Sequence, residues 1–511
     1  MFLDIVIKCF AQIVRKKGIE MGILGRIRKS SKSHQNSSIY HARQMLIQEE
    51  ERNLARDLAN RKKSEDDYAL PDDRDLTSEQ VAEIDAFWSK YEFLGKIDTR
   101  AFKTYYNRSG IFDPRYLPQY IYSYFLRPNT VPEQYAIPFQ IKAYLPRLLS
   151  NAKQPEMIIR KIEGIYYNSE FEHITKNEAV QICLDVLQSG TEIVVKLSGQ
   201  GGGKGVVFLS STTAKELSNL FKTKSKFSVQ KAIKQHPEMA KLNPSTVNTV
   251  RLTTVLHKGK FSAAAALIKI GSPNARVDNY KYGGCLLGVN LDGTVLPWAL
   301  NIERERITEL PSGVQLGEGG FTKVPCFDSV IEMAEKAHYC IPKIKVVSWD
   351  IAVDDENEAE IIEANFFGDL RMHQVLTGPV FGDMTEMILD SYVLPNYYKR
   401  GVTRDYDYKE FVNHIEITKY VGNEKAVTVP TEINGKPITV IGAYAFAYKR
   451  NIKAVTLPNT VTRLQKGAFA GCTSLEVLKL NLDGLKSAGK EVVNWCGKLD
   501  LDTKKAIRAK S

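Results

Sequence analysis

No stretch of this 511-residue chain is apolar for the roughly 18–20 residues that a spanning helix needs. Its start, "MFLDIVIKCFAQIVRKKG", does not read as a secretory signal either. Asp4 and Lys8 interrupt the apolar part, and the basic residues follow it. Paired cysteines are missing too. Cys9, Cys183, Cys285, Cys326, Cys340, Cys472 and Cys496 are odd in number and widely spaced, with no CxxC. That argues against a disulfide framework or a zinc site and predicts a reducing, cytoplasmic setting. The net charge of +11 is hardly present in the body of the chain. Residues 1–40 carry +6 and residues 484–511 carry +4, which leaves +1 between them. A nucleic-acid binder carries its positive charge on a folded face, so no nucleic-acid partner is expected. Eight scattered histidines suggest no Ser–His–Asp or Cys–His arrangement.

What is present is a chain too long for one core. Residues 1–74 read as a basic amphipathic helix (Leu3, Val6, Phe10 and Ile13 at helical spacing over 1–18), a polar linker over 28–38 and a charged helix over 40–68. The first helix is either docked on protein or lying against anionic membrane, a peripheral contact at the inner face. Residues 75–400 read as α+β. An aromatic-rich, mostly helical part over 75–175 opens with a capping box, Thr77 and Gln80. Over 176–395 strands and hairpins mix with helices, which excludes a doubly wound parallel sheet. Strand candidates are "MIIRKI", "IVVKLS", "GVVFLS", "FSVQKAI", "TVRLTTVLHKGKFSAAAALIKI", "KVVSWDIAV" and "EIIEANFF"; "KNEAVQICLDVLQ" and "SVIEMAEKAHYC" are helix candidates. Within 410–482, "VIGAYAFAYKRNIKAVTLP" aligns with "RLQKGAFAGCTSLEVLKLN" at an offset of 23, a solenoid period. Phe446, Phe469 and Cys472 are expected in its core. Residues 483–511 read as a basic tail.

Three stretches carry chemistry. "VVKLSGQGGGKGVVFLS" (194–210) fails the Walker spacing, with Ser198 at its first position and Gly205 after Lys204. It fails the dinucleotide spacing as well, and a strand follows it where both motifs need a helix. It is a glycine-rich flap between strands, whose bare N–H groups can wrap phosphate, or else a merely mobile hairpin. In "SWDIAVDDENEAEIIEANFF" (348–367), a symmetric hairpin closing at Val353 and Glu360 sets Asp350 opposite Glu363, with Asn365 on the same face. Opposed carboxylates repel, and a cation reverses that penalty; three oxygen ligands suit magnesium. The alternative, a solvent-facing acidic hairpin, fits Asp354, Asp355 and Glu356. In "NPSTVNTVRLTTVL" (243–256), Arg251 shares a face with Thr249 and Thr253. Its partner is a phosphate or a structural carboxylate.

These stretches, with "Q-x-x-I-x-Q-H-P" (Gln230–Pro237), "VDNYKYGG" (Val277–Gly284) and "E-A-N" (Glu363–Asn365), resemble the sugar-transfer-associated ATP-grasp family over about 75–395. "AFAGCTSLEVL" resembles the BspA-like leucine-rich repeat. The resemblance implies an ATP-grasp fold of two α+β subdomains gripping ATP, followed by a short solenoid. It implies that Lys196 holds the α-phosphate, and that Gly199, Gly201, Gly202, Gly203, Lys204 and Gly205 form the flap over the β- and γ-phosphates. Gln230, Lys231, Ala232 and Ile233 would be the hinge whose backbone reads adenine. Arg251 and Lys204 would act on the transferring phosphate, and Asp350, Glu363 and Asn365 would ligate Mg2+. Lys142 is the nearest candidate for a further ATP-touching lysine; Arg276, Asn279, His373 and Gln374 fall in the second-substrate region. The implied activity is a ligase that activates a carboxylate as acyl-phosphate for an amine, acting on a small molecule or glycan precursor in cell-surface polysaccharide biosynthesis. A kinase of a sugar hydroxyl and a non-catalytic adaptor are the alternatives. The repeats would dock a protein partner or the acceptor.

Overall fold

The computed structural model describes residues 32–197 and 205–511. They form two compact units: Asn60–Val393, and a second that joins the stretch up to Ala59 to Leu394–Ser511.

The first unit opens with helices stapled by aromatics. In the Thr77 box, Thr77 Oγ1 accepts from Gln80 N at 3.2 Å and Gln80 Oε1 accepts from Thr77 N at 2.9 Å. A cap of this kind stabilises a helix by about 1 kcal/mol. Trp88, Phe102 and Tyr116 then pack edge to face, with centroids 6.5 and 6.3 Å apart. Two antiparallel sheets follow. The first comprises β1 (Met157–Ile162), β2 (Ile165–Asn168), β3 (His173–Ile174), β4 (Ile193–Leu197), β5 (Val206–Leu209) and β6 (Phe227–Lys231), in the order β3-β2-β1-β6-β4-β5. Helices Lys176–Gln188 and Ala214–Thr223 bury Cys183, Leu187, Leu217 and Phe221 against Ile159, Val195 and Val229 of this sheet.

The second sheet holds β7 (Thr249–His257), β8 (Lys260–Ile270), β9 (Cys285–Val289), β10 (Val295–Leu300), β11 (Arg306–Ile307), β12 (Val346–Val353) and β13 (Ala359–Asn365), ordered β11-β10-β9-β8-β7-β12-β13. Helix Phe327–Tyr339 packs on β7, β12 and β13, and helix Arg371–Thr377 packs on β8 and β9. His338 of the first helix bonds Thr254, whereas His373 of the second bonds Thr253. Neighbouring strand residues point to opposite faces, so the helices cover opposite sides. The α+β expectation holds. In the acidic turn Asp355 and Glu356 are exposed, as read, but Asp354 is buried, accepts the backbone N–H of Glu356 and Glu358, and pairs with Lys153 at 2.6 Å. It shapes the turn.

In the second unit, helix Lys32–Lys62 begins inside the stretch expected to be linker, so 32–38 are helical. Arg43 fastens this helix, donating from Nε to Asp407 Oδ1 at 2.8 Å and from Nη2 to the Tyr406 carbonyl at 3.0 Å. Strands β14 (Tyr398–Val402), β15 (Tyr406–Phe411) and β16 (Ile415–Tyr420) form a meander, and β16 starts a solenoid. One column then uses β17 (Ala426–Thr428), β20 (Ala454–Thr456) and β22 (Val477–Lys479). The other pairs β16 with β19 (Lys436–Ile441), β21 (Arg463–Leu464) and β23 (Ser487–Ala488), while β18 (Glu432–Ile433) pairs β19 at the side. Ala454 pairs with Val477, the expected 23-residue step. Phe446 stacks between Tyr420 and Phe469, 5.1 Å from each, and Cys472 is buried beside them. The basic tail expected over 483–511 is instead a further rung and a cap. Leu485, Val492, Val493, Cys496 and Leu499 join the solenoid core, as does Ile507 of helix Leu501–Arg508. Charge marks its surface, yet Leu464, Phe469, Cys472 and Leu475 recur 24 residues on as Ala488, Val493, Cys496 and Leu499, one residue off the 23-residue step and without the phenylalanine. Among the described residues no helix is long and apolar enough to cross a membrane. The amphipathic helix expected over 1–18 lies outside them.

Candidate active site

Three adjacent strands carry the charged row. Register sets Arg251 of β7 opposite Asp350 of β12, and Asp350 opposite Glu363 of β13. Directly opposed residues share a face, so the three side chains stand together with Asn365, two residues beyond Glu363. The hairpin is not symmetric as expected. Val353 pairs with Ala359, and a bulge at Ile362 restores the Asp350–Glu363 pairing.

The row is already neutralised by protein cations. Arg251 donates from Nε and Nη2 to the two oxygens of Asp350, both at 2.8 Å. Lys269, opposite Thr249 on β8, bridges Asp350 at 3.0 Å and Asp278 at 2.8 Å. Asp278 also accepts from the Thr249 hydroxyl. The Asp350 side chain is only 4% exposed. Burial alone would raise its pKa, but Arg251 and Lys269 hold it well below the usual carboxylate range. Glu363 has Lys142 at 3.5 Å. The repulsion expected between the carboxylates is thus offset within the chain, and no metal is required for that purpose. Arg251 has the structural carboxylate partner that was one of its two readings, and that partner is itself an expected metal ligand.

This row floors a cavity of about 470 Å³. Lys142, Lys196, Lys231, Ile233, Arg251, Asp350, Glu363 and Asn365 all line it, as do Arg276 and Asn279. Burial, reinforced by the Lys142 ammonium, pulls Lys196 down to about 8. Arg276 reaches Glu192 at 2.5 Å and lies over the Phe208 ring at 4.3 Å. Gln230 turns away, donating to the Pro155 carbonyl at 3.2 Å. The backbone N–H groups of Lys231 and Ala232 donate to the Glu156 and Glu192 carbonyls. The flap residues Gly199, Gly201, Gly202, Gly203 and Lys204 lie outside the described residues. Gly205, with φ +82°, accepts from Leu197 N at 2.9 Å and closes the strand ends.

His373 and Gln374 stand behind the wall. His373 Nε2 meets Thr253 Oγ1 at 3.0 Å, and Gln374 exchanges two 2.8 Å bonds with the Leu117 backbone. Lys269, Tyr68 and Asp369 line the cavity and were not anticipated; Asp278 and Tyr280, which also line it, lie in the "VDNYKYGG" stretch but had no role of their own. Lys269 had a signal: it is the charged residue in "AAAALIKI", on the strand facing Arg251. Tyr68 was hidden by a domain boundary placed at 75, whereas the compact unit starts at Asn60.

The lining suits a polyphosphate and a hard cation. Six cationic side chains (Lys142, Lys196, Lys231, Arg251, Lys269, Arg276) face four carboxylates (Asp278, Asp350, Glu363, Asp369), beside an apolar wall of Val194, Val206 and Phe208. Asp350 Oδ1 accepts a single bond from the residues above and keeps a lone pair. Asn365 Nδ2 is buried with no partner among the described residues. That amide N–H suits a phosphate oxygen, whereas the Asn365 Oδ1, with Asp350 and Glu363, offers the hard oxygen donors that magnesium takes.

Residues 151–388 match the model of the sugar-transfer associated ATP-grasp family, and residues 436–505 match the BspA type leucine-rich repeat region in six copies. The chain is similar to a Treponema pallidum leucine-rich repeat protein (31% identity over 20% of this chain and 45% of that one, TM-score 0.17). It is also similar to the D-alanine–D-alanine ligase of Coxiella burnetii (11%, covering 50% and 59%, TM-score 0.30) and to the biotin carboxylase of Campylobacter jejuni (11%, covering 54% and 51%, TM-score 0.33). It therefore spans less than two thirds of each. No curated protein matches. Residues 151–388 are thus a domain of the sugar-transfer associated ATP-grasp family, and residues 436–505 a BspA type leucine-rich repeat region.

Proposed function

We propose that the cavity binds ATP with magnesium and that the protein is a ligase joining a carboxylate to an amine or similar nucleophile, in the making or modification of a cell-surface polysaccharide. The observation that carries this reading is the half-buried Arg251–Asp350–Lys269–Asp278 network in a cavity with an excess of cations, beside Glu363 and Asn365. Glu363, Asn365 and Asp350 would hold the metal, which supplies charge neutralisation on phosphate oxygens. Val194, Val206 and Phe208 would pack on the base next to Lys231–Ile233. Lys196, still mostly cationic at pH 7 with its pKa near 8, would sit on the phosphates.

The chemistry asks little covalent work of the protein. A carboxylate oxygen takes the γ-phosphoryl group and ADP leaves; the nucleophile then attacks the acyl carbon, and phosphate leaves with the bond it held. In both steps negative charge moves across the site, and prepositioned cations lower that barrier. Asp350 occupies two of the three Arg251 guanidinium nitrogens and so fixes the fork's plane.

The test is calorimetry of ATP with and without magnesium, followed by a phosphate-release screen of amino acids and sugar acids with mass detection. Amine-dependent release with a condensed product is expected. A phosphorylated acceptor would make the protein a kinase. Absence of ATP binding would leave the solenoid as its working part.

A further inference from the structure

Three aromatic side chains on the solenoid stand where a bulky residue is poorly accommodated. Tyr444, Tyr448 and Trp495 have φ of +57°, +60° and +58°. In this left-handed region side chains other than glycine are disfavoured. The repeat supplies its own comparison. On the next rung the positions equivalent to Tyr444 and Tyr448 are Gly467 and Gly471, at φ +62° and +73°. Burial does not fully offset the strain, since the three side chains are 47%, 59% and 68% exposed. Strain that packing offsets only in part points to a use for the exposed faces of these residues.

The rings are also held in place. A Cβ on Gly471 would lie 2.5 Å from Tyr448 Cδ1, and one on Gly467 would collide with the Tyr444 ring. Each tyrosine ring therefore rests one side on the glycine backbone of the next rung. Backbone bonds tie the rungs: Tyr448 N to Ala470 O at 2.7 Å, Tyr444 N to Lys466 O at 3.0 Å and Gly471 N to Asn494 O at 2.8 Å. Adjacent strands lie about 4.8 Å apart, so Tyr448 and Trp495, two rungs apart, span roughly 10 Å.

We propose that this shelf binds a polysaccharide, whose sugar rings stack on Tyr448 and Trp495. A pyranose presents a face of C–H bonds, weakly positive, to the negative face of an aromatic ring. Its hydroxyls, around the edge, meet the exposed Lys466, Lys490, Glu491 and Lys498. A protein partner would bury those charges under an apolar core, at a desolvation cost that sugar hydroxyls do not impose. The proposal is independent of the ATP reading.

The test is affinity electrophoresis of the full chain in gels containing hydroxyethylcellulose, glycol chitosan, xylan or mannan, with Trp fluorescence titration by cellopentaose and chitopentaose. Retardation by at least one polymer is expected, with a loss of tenfold or more in Tyr448→Gly and Trp495→Gly. Those variants should keep or raise the Tm, since glycine relieves the backbone. Binding that the variants leave unchanged, a fall in Tm without loss of binding, or no binding to any of the glycans would overturn it.

Discussion

Arg251 and Asp350 form a two-point pair, Nε to Oδ1 and Nη2 to Oδ2, each 2.8 Å long and nearly closed to solvent. The pair makes one residue both a fold element and an expected magnesium ligand, and this separates two substitutions that the strand pattern treats alike. Asp350→Asn leaves Arg251 without its counter-charge and Lys269 with Asp278 alone, and breaking such a pair costs about 3–5 kcal/mol. Glu363 is 40% exposed, with Lys142 at 3.5 Å, so Glu363→Ala changes stability by about 1 kcal/mol or less. Both variants lose ATP turnover by about a hundredfold or more. Urea denaturation beside an ATPase assay checks this, and full activity in Glu363→Ala would remove the metal assignment.

Lys196 sets an alkaline limit. Its pKa, lowered to about 8 by burial and then by Lys142, means the unliganded site loses a positive charge as pH rises past 8. Affinity for ATP should fall there. Lys196→Arg keeps its charge to far higher pH and flattens the profile. The stability sign is opposite: between pH 8 and about 10.4 the unfolded lysine binds a proton that the folded one does not, so this group makes the fold more stable as pH rises. A pH series of ATP binding and of thermal melting separates the two effects.

Much of this site was legible before the fold was known. Alternation put Arg251 on a half-buried face, and the spacing of Asp350, Glu363 and Asn365 put three oxygen donors on one side of a hairpin. The bulge at Ile362 was not legible, because strand alternation carries no marker for one extra residue; here the expected pairing returned only because the turn is one residue shorter than assumed. Lys269, and the pairing of Asp278 within "VDNYKYGG", were missed for a different reason. Each is a lone charge whose meaning depends on a partner strand far away in sequence. Short parallel strands such as β23, two residues long, have no period of their own to read.

Acid should destabilise the ATP-grasp unit through two buried histidines. Burial, then the Arg251 charge, lowers His373 to about 3, and burial lowers His338 to about 4. Their unfolded values lie near 6.5, so as pH falls below that the unfolded chain takes up protons that the folded one refuses. Stability is full above pH 6.5 and declines by about 1.4 kcal/mol per pH unit for each histidine down to roughly pH 4. Asp350, held low, adds its own loss below about pH 4. Urea midpoints from pH 7 to 4 should show the decline, with a shallower slope in a His338→Gln, His373→Gln double variant.

Phe469 is the centre of the solenoid's stability. Its ring stacks on Phe446 at 5.1 Å, Phe446 stacks in turn on Tyr420, and the Cys496 Sγ sits 3.2 Å from the Phe469 carbonyl. Each rung buries its apolar face against its neighbours alone, so a gap in the middle rung uncouples both sides. Phe469→Ala should cost about 3–5 kcal/mol, against a change within about 0.5 kcal/mol for an exposed Lys486→Ala on the same array. Differential scanning calorimetry should show the solenoid transition lowered and the transition of the Asn60–Val393 unit unmoved. A shift of both together would mean that the two units melt as one.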